Sequence, residues 1–164
     1  LVTGGARGIG RAICEAMTEA GSSVAVADLR EDDAADTAKA VGDMAVKMDV
    51  TNLASIAEGL AKVEQAWGGV DILVNSAGIF NLASLDKITP EDYCRQYNVN
   101  VGGTIFACQA VVPLMKKRGG GPIINFSSQA GRRGEPNITL YCSTKTAVIS
   151  VIQSVFIPKT GVTT

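Results

Sequence analysis

Two side chains one helical turn apart, Tyr141 and Lys145, are the residues of this sequence best suited to acid–base chemistry. If the segment is helical, both lie on one face, with Cβ atoms roughly 5–6 Å apart. An ammonium at that distance favours the phenolate form of a tyrosine. A phenol becomes a base at neutral pH only if its pKa falls from ~10 by about 3 units, or roughly 4 kcal/mol. One lysine is not expected to supply the whole change, so the pair predicts a second cation nearby, such as the ring of a cofactor.

The sequence contains no histidine, which restricts the chemistry strongly. Histidine-based triads, His-ligated zinc and histidine proton shuttles are excluded. Acid–base chemistry near neutral pH must then use a Tyr, Lys, Cys or carboxylate with a shifted pKa. Cys142 is a poor alternative nucleophile, because no histidine is available to activate it. The composition therefore favours the Tyr141–Lys145 pair.

The composition is that of an ordinary globular domain, with 164 residues, 46% hydrophobic, 19% charged and a formal net charge of −1. That charge argues against a basic nucleic-acid-binding surface and against an acidic disordered chain. No apolar run approaches the ~18–20 residues of a membrane span, so no membrane segment is predicted. The four cysteines form no Cys-x-x-Cys pair, and we expect reduced thiols in a cytoplasmic protein.

The elements that position this chemistry begin at the first residues. Residues 1–3 are β-prone and run into a glycine-rich loop at 4–10, and apolar spacing predicts a helix over 11–20. A second buried strand, 23–28, ends in Asp28. Strand, glycine loop, helix, strand and acid form the layout of a dinucleotide site. In such a site the glycines allow close approach to the pyrophosphate, and the helix N-terminus attracts its negative charge.

The carboxylate of Asp28 indicates which of the two dinucleotides, NAD or NADP, binds. Its carboxylate is placed to accept hydrogen bonds from the adenosine ribose hydroxyls and would repel a 2′-phosphate, which favours NAD over NADP. Arg7 and Arg30 are the counter-evidence, because either could pair with that phosphate.

Strands and helices continue to alternate. We predict helices over 31–41 and from a cap at Thr51 or Asn52 to Trp67, and strands over 45–48 and 70–75. This alternation predicts a parallel sheet with helices on both faces. Ligands bind such sheets beyond the carboxyl ends of the strands, where Asp28, Asp49 and Asn75 are expected. Each of these three also has the simpler interpretation of a capping or turn residue.

A long helix is predicted from Pro90 to about Lys117. Glycines at 102 and 103 are unfavourable inside a helix by roughly 1 kcal/mol each. They indicate either a local distortion at Asn100, of the kind that frees a backbone carbonyl, or a close helix crossing that needs small residues.

A fifth strand, 123–126, leads to Ser127 and Ser128, and a helix from about Thr139 carries Tyr141 and Lys145. Arg132 and Arg133 lie in the polar loop between them. The loop arginines are interpreted either as a solvated surface or as a contact to substrate or another subunit.

Together these motifs resemble the short-chain dehydrogenase/reductase family. The matching stretches, in family order, are Thr3-Gly4-Gly5-Ala6-Arg7-Gly8-Ile9-Gly10, Asp49-Val50, Asn75-Ser76-Ala77-Gly78, Asn100-Val101-Gly102-Gly103, Ser128 and Tyr141-x-x-x-Lys145. Asn75-Ser76 departs mildly, since the family more often has two asparagines there. Stretches 128–135 and 141–150 resemble the sorbitol and galactitol dehydrogenase branch. The resemblance implies a Rossmann-type doubly wound parallel sheet flanked by helices.

The resemblance also implies roles for individual residues. Tyr141 would be the acid–base, and Lys145 would lower its pKa and bind the nicotinamide ribose. Ser128 would hold the substrate oxygen, and Asn100 would organise a water that relays the proton. The implied nucleotide-binding residues are Gly4, Arg7, Gly8, Ile9, Gly10, Asp28, Asp49, Val50, Asn75, Ala77, Gly78, Tyr141 and Lys145. No metal is implied.

The activity that the resemblance implies is NAD-dependent interconversion of a secondary alcohol and a ketone, with a polyol such as sorbitol and its ketose as substrates. An alternative is an NADPH-dependent reductase of another carbonyl, such as a 3-oxoacyl thioester. The family also implies a homodimer or homotetramer built on the two long helices that contain Asn100 and Tyr141.

The apolar pattern fails after Ser154. We predict a nucleotide-binding domain over 1–154, incomplete at both ends, and a divergent tail over 155–164 with no further strand or helix. Family members continue with two more strands and a substrate-covering loop, so a C-terminally truncated chain is expected. A third hypothesis follows, in which the chain is catalytically inactive and binds nucleotide weakly or pairs with full-length subunits.

Overall fold

A computed structural model describes residues 1–41 and 43–154 and the backbone of 162–163. The strands are β1 (Val2–Thr3), β2 (Ala25–Asp28), β3 (Met44–Lys47), β4 (Leu73–Asn75), β5 (Gly121–Asn125) and β6 (Val162–Thr163). The helices are α1 (Gly8–Glu19), α2 (Glu31–Val41), α3 (Leu53–Trp67), α4 (Pro90–Tyr97), α5 (Gly103–Lys117) and α6 (Thr139–Ser154).

The strands form one parallel sheet in the order β3-β2-β1-β4-β5-β6. The chain fills one half from β1 outwards to β3 and then returns to the other side of β1 with β4. This reversal between β1 and β4 is the topological switch point, outside which open parallel sheets bind ligands. The predicted doubly wound fold is confirmed.

Helices pack on both faces of the sheet. The side chains in and next to β2 contact them alternately on one face and on the other. Successive strand residues point to opposite faces. Val24 and Val26 pack in a core with Cys14 of α1 and Ala34 of α2. Ala25 and Ala27 belong to a second core, which includes Ile56, Leu60 and Val63 of α3 and Ala107, Val111 and Met115 of α5. The strand reads as a continuous apolar run because both of its faces are buried.

Side-chain caps set the start of two helices. Asn52 Oδ1 accepts hydrogen bonds from the N–H groups of Ala54 (2.9 Å) and Ser55 (3.2 Å), so Asn52 is the cap of α3. Thr89 and Asp92 form a reciprocal capping box before Pro90, which fixes the start of α4.

The long predicted helix is interrupted, as its glycines indicated. A π-helical turn over Asn98–Gly102 separates α4 from α5. A Cβ atom on Gly103 would lie 2.7 Å from Val50 Cγ2, so α5 also crosses the β3–α3 connection too closely for any side chain. The predicted distortion is therefore confirmed, whereas the close approach at Gly103 is to a connecting segment and not to another helix.

The continuous helical stretch Pro90–Lys117 is long and apolar enough, by length and composition, to cross a membrane, with a mean hydropathy of 1.2. The stretch is not an uninterrupted apolar run, because Asn98, Asn100 and Gln109 lie within it, so the expectation from the sequence is unchanged. In the structure, α5 places Ala107, Val111 and Met115 in the core beside α3 and the sheet.

The prediction for the end of the chain needs one correction. The backbone of Val162–Thr163 pairs in parallel with Gly121 and Pro122 of β5, although no strand was expected after Ser154. Two residues carry too little periodicity to be recognised in sequence. The remainder of the predicted tail, 155–161 and 164, lies outside the described residues.

Candidate active site

A cleft of about 620 Å³ opens at the carboxyl ends of β1, β2 and β4. Its volume is within the ~300–1,000 Å³ typical of small-molecule sites. The residues implied to bind nucleotide that line it are Gly4, Arg7, Gly8, Ile9, Gly10, Asp28, Asp49, Val50, Ala77, Gly78, Tyr141 and Lys145. The fold thus brings together all of these predicted residues except Asn75.

The backbone of the glycine loop is closely packed at Gly4 and Gly10 and open at Gly8. Gly4 has φ +65°, and a Cβ there would lie 2.8 Å from the backbone nitrogen of Ala77. A Cβ on Gly10 would overlap the carbonyl oxygen of Gly4. Gly8, at the start of α1, has φ +55°, and a Cβ added there would meet no atom within 4 Å, so the cleft side of the loop is open. A bare backbone facing open space at a helix N-terminus fits a pyrophosphate group.

We expect Gly10→Ala to weaken both nucleotide binding and the fold. The new methyl group would overlap the Gly4 carbonyl oxygen and lie 2.8 Å from the Gly4 carbonyl carbon. Both atoms belong to the backbone, so the loop itself must move. Overpacking of this kind typically costs about 1–3 kcal/mol. Thermal unfolding and calorimetric titration with NAD check the two effects. Gly134→Ala is the control, because a Cβ there meets nothing within 4 Å; equal behaviour of the two variants would contradict the prediction.

Asp28 lies at the end of β2 with its carboxylate held by backbone. Oδ2 accepts from the N–H of Ala6 and Oδ1 from the N–H of Arg30, each at 3.2 Å. The Arg30 guanidinium pairs with Asp33 at 2.7 Å, which draws it towards α2. The acid is therefore fixed at the cleft edge, while one of the two arginines that favoured NADP already has a carboxylate partner.

Asp49 and Asn75 have different surroundings. Asp49 lines the cleft and also closes a turn, since its Oδ1 accepts from the Thr51 N–H (2.9 Å) and hydroxyl (2.7 Å). Asn75 does not line the cleft. Its Nδ2 donates to Asn125 Oδ1 (2.8 Å) and to Cys108 Sγ (3.2 Å), so the side chain points towards α5 and ties β4 to β5. The sequence placed Asn75 at the end of a strand, but it did not determine towards which face of the sheet the side chain points.

A second cavity of about 450 Å³ adjoins the cleft. Within the described part of the chain, Phe80 and Tyr141 are the two residues that line both spaces. Their rings meet edge to face, 5.0 Å between centroids at 75°. Tyr141 thus lies where a molecule in the second cavity and one in the nucleotide cleft would meet.

Lys145 is buried beside Tyr141. Its Nζ lies 5.6 Å from the centre of the tyrosine ring and donates to the Phe126 carbonyl oxygen at 2.8 Å. Burial lowers the pKa of Lys145. Burial also raises the pKa of Tyr141, while a hydrogen bond with Ser128 opposes that rise and the nearby Cys142 adds to it. In the protein alone, burial therefore dominates the pKa of Tyr141, and the lowering expected from Lys145 together with a cationic cofactor ring stays a prediction.

The two serines that follow β5 line different spaces, Ser127 the cleft and Ser128 the second cavity. Ser128 lines the second cavity and accepts a hydrogen bond from the Ala130 N–H at 3.2 Å. Ser127 lines the cleft, and its hydroxyl donates to the Lys145 carbonyl oxygen at 2.8 Å. The family resemblance implied that Ser128 holds the substrate oxygen, and this role stays a prediction. It gave no role to Ser127, whose hydroxyl holds the backbone of the helix that carries Lys145.

Asn100 lies beneath the cleft wall, 1% exposed. Its Oδ1 accepts from the Ile79 N–H (2.8 Å), and its Nδ2 donates to the Ile79 carbonyl (2.9 Å) and to Thr144 Oγ1 (3.1 Å). The side chain thus fixes the peptide next to Gly78 and connects it to α6. Gln96, fully buried one turn before, also donates to the Ile79 carbonyl at 3.4 Å. Sequence reasoning missed Ile79, Thr144 and Gln96, because only the folded chain brings them to Asn100.

Among the described residues, no three His, Cys, Asp or Glu side chains are grouped in a way that could hold a metal ion. Cys14, Cys94, Cys108 and Cys142 are free thiols, as expected from their spacing.

A switch-point cleft with a glycine loop, an acid at the end of β2 and a Tyr–Lys pair defines a dinucleotide-binding α/β domain. Residues 1–157 match the sequence profile described as short chain dehydrogenase. The chain belongs to the short chain dehydrogenase family. The match extends past the boundary predicted after Ser154.

Several proteins similar to this chain are named as polyol dehydrogenases. The chain is 50% identical over 157 residues to sorbitol dehydrogenase from Cereibacter sphaeroides and 46% identical over 157 residues to galactitol 2-dehydrogenase from Agrobacterium fabrum. Each comparison covers 94% of this chain and 61% of the relative. The crystal structure of sorbitol-6-phosphate 2-dehydrogenase SrlD from Erwinia amylovora superposes with a TM-score of 0.90 at 30% identity, covering 93% of this chain and 63% of that one. The chain thus spans about three-fifths of the length of these proteins.

Proposed function

We propose that the protein is an NAD-dependent oxidoreductase that interconverts a polyol and its ketose. The position of Tyr141 at the junction of the two cavities carries this proposal. A substrate hydroxyl in the second cavity can reach the phenol, while the nucleotide cleft begins on the other side of the same ring. The similarity to sorbitol and galactitol dehydrogenases supports the choice of a polyol.

The residues of the chain would act as follows. The glycine loop holds the pyrophosphate, Asp28 the adenosine ribose and Lys145 the nicotinamide ribose. When bound, the nicotinamide supplies the hydride acceptor. Ser128 orients the alcohol oxygen, and Tyr141 takes its proton; in the reverse direction the protonated phenol donates it to the ketone oxygen. Asn100 acts through the Ile79 peptide, whose two polar groups it holds.

The raised pKa of Tyr141 in the protein alone bears on this mechanism. The phenol is then protonated at neutral pH, ready for ketone reduction. For alcohol oxidation it must ionise, and a cation brought into the cleft beside Lys145 favours that ionisation. A positively charged cofactor ring therefore suits the site, which agrees with the chemistry expected from the Tyr–Lys spacing.

The activity is tested by following formation of reduced cofactor with NAD and a panel containing sorbitol, galactitol and monohydric secondary alcohols. We expect turnover of the polyols. To separate an inactive chain from a wrong assignment, residues 1–154 are also fused to the C-terminal part of the Cereibacter relative. Nucleotide binding by both proteins without turnover by either would overturn the proposal; turnover by the fusion alone would support the hypothesis that this chain by itself is inactive.

Asp28→Asn tests the choice of cofactor. The substitution removes the charge that would repel a 2′-phosphate, so we expect the ratio of kcat/KM for NAD to that for NADP to fall at least about tenfold. The alternative function, an NADPH-dependent reductase of a carbonyl such as a 3-oxoacyl thioester, predicts little change in NADPH use. Asp36→Asn is the control, because this exposed carboxylate of α2 lies outside the cleft lining and, among the described residues, pairs with no cation.

A homodimer or homotetramer in the cytoplasm is part of the same proposal. Exposed apolar side chains on α4 and α5, Tyr93 (50%), Ile105 (38%) and Phe106 (38%), support association through the long helices. Sedimentation velocity would measure the state, and a monomer at assay concentration would contradict it.

A further inference from the structure

The second cavity is wide open to solvent and is lined by both polar and apolar side chains. Ser128, Gln129 and Glu135 contribute polar groups, whereas Phe80, Leu82 and Ile138 are apolar. Its volume of about 450 Å³ exceeds what a single hydroxyl beside Tyr141 needs. The space therefore accommodates a chain of atoms extending from the reacting carbon, and the polar side chains are candidates to bind hydroxyl groups on that chain.

Glu135 is the single charged residue among the described residues that line this cavity. Its side chain is 33% exposed. Oε1 accepts a hydrogen bond from Gln129 Nε2 at 3.4 Å and lies 3.8 Å from the guanidinium of Arg133, whose side chain is 73% exposed. Within the described part of the chain, Oε2 makes no hydrogen bond. One carboxylate oxygen is thus held in place and the other remains available as an acceptor.

We propose that Glu135, positioned by Gln129, binds hydroxyl groups of a neutral polyol beyond the carbon that reacts, and that it discriminates against a phosphorylated polyol. The inference rests on the proposed function. Hydroxyl groups donate to a carboxylate in charge-assisted hydrogen bonds, which are roughly twice as strong as neutral ones. A phosphate group in the same cavity would meet a like charge, and the solvent-exposed Arg133 compensates little because exposed ion pairs are weak.

The experiment compares sorbitol with sorbitol 6-phosphate, using NAD and the whole chain. For Glu135→Ala we expect the KM for sorbitol to rise about tenfold or more, with a much smaller change in kcat, because the lost contact lies away from the reacting atoms. For Glu135→Gln, which keeps hydrogen bonding but removes the charge, we expect the preference for sorbitol over its phosphate to fall by about tenfold. Glu58→Ala, on the exposed face of α3, is the matched control.

Any of three results would overturn the inference. The first is an unchanged KM for sorbitol in Glu135→Ala, and the second is an unchanged preference in Glu135→Gln. An equal fall in kcat and kcat/KM for every alcohol, including 2-butanol, would also overturn it, since that pattern indicates a structural role. Thermal unfolding of each variant confirms that it is folded.

Failure of the proposed function gives a different pattern. The wild-type chain would then turn over neither substrate. In that case calorimetric titration of sorbitol into the NADH-bound chain still decides the role of Glu135. Binding that is weakened about tenfold in Glu135→Ala supports the inference, and absent or unaltered binding overturns it.

Discussion

Replacing Tyr141 with phenylalanine is expected to lower kcat for polyol oxidation by about 10²–10⁴-fold, the usual contribution of a positioned acid–base group. The substitution removes only the phenol oxygen, so the edge-to-face contact with Phe80 remains. NAD affinity and thermal stability should therefore change little. Initial rates and calorimetric titration with NAD measure both quantities.

Tyr93→Phe is the matched control, because this ring is half exposed on α4 and stacks on Tyr97 outside both cavities. Such a surface change is expected to alter kcat by no more than about twofold. If Tyr141→Phe behaved like this control, with the nucleotide still bound, Tyr141 would not be the acid–base.

The pH dependence of the two reaction directions follows from the same residue. Since burial raises the pKa of Tyr141, the phenol is protonated at neutral pH. Oxidation needs the phenolate, so its kcat/KM should rise with pH; reduction needs the phenol and should decline only as the phenol ionises under alkaline conditions. The ultraviolet titration difference between wild type and Tyr141→Phe reports the pKa directly, and NAD should lower it. A rate of oxidation that falls from neutral to alkaline pH would contradict the assignment.

Lys145→Met is expected to lower kcat by about 10²–10³-fold, and to weaken NAD binding as well. Methionine fills a similar space without the ammonium, so the phenolate loses its nearest fixed positive charge and the nicotinamide ribose a hydrogen-bond donor. The combined loss distinguishes Lys145 from Tyr141, whose replacement should affect kcat alone. A normal NAD affinity in Lys145→Met would contradict the role at the ribose. Lys62→Met, on the exposed side of α3, is the control.

Stability gives a second test of Lys145. The variant leaves the Phe126 carbonyl without its donor, a loss of about 1–3 kcal/mol, but it also removes the desolvation of a buried ammonium, so the net change should be small. Burial lowers the pKa of Lys145 below its ordinary value of 10.5. Between the two values the unfolded chain binds more protons, so this residue makes stability rise with pH across that window. Lys145→Met should lose the rise, as seen in denaturant unfolding at several alkaline pH values.

Much of the fold followed from local patterns. Apolar runs bounded by glycines and acids located the five main strands and the helices between them, because strands buried on both faces must be apolar throughout. Two adjacent glycines indicated the disturbed turn at Asn98–Gly102, because glycine is costly inside a regular helix. The short strand Val162–Thr163 was missed, since its pairing depends on β5 rather than on its own residues.

The sequence alone selected the groups that are proposed to carry the chemistry. The absence of histidine excluded histidine-based chemistry, and spacing selected Tyr141 and Lys145. The order of strand, glycine loop, helix and Asp28 indicated a dinucleotide site. These conclusions depend on residue type and short-range geometry, which a helix or a tight turn fixes locally.

Only the tertiary structure decided the surroundings of those groups. It turned Asn75 towards α5, used Asn100 to hold the Ile79 peptide, and placed Tyr141 between two cavities. It also raised the pKa of Tyr141 in the protein alone, because that pKa depends on how much solvent the folded chain removes and not only on the nearest charge. Burial and facing direction are properties of packing between distant segments, and spacing along one segment does not contain them.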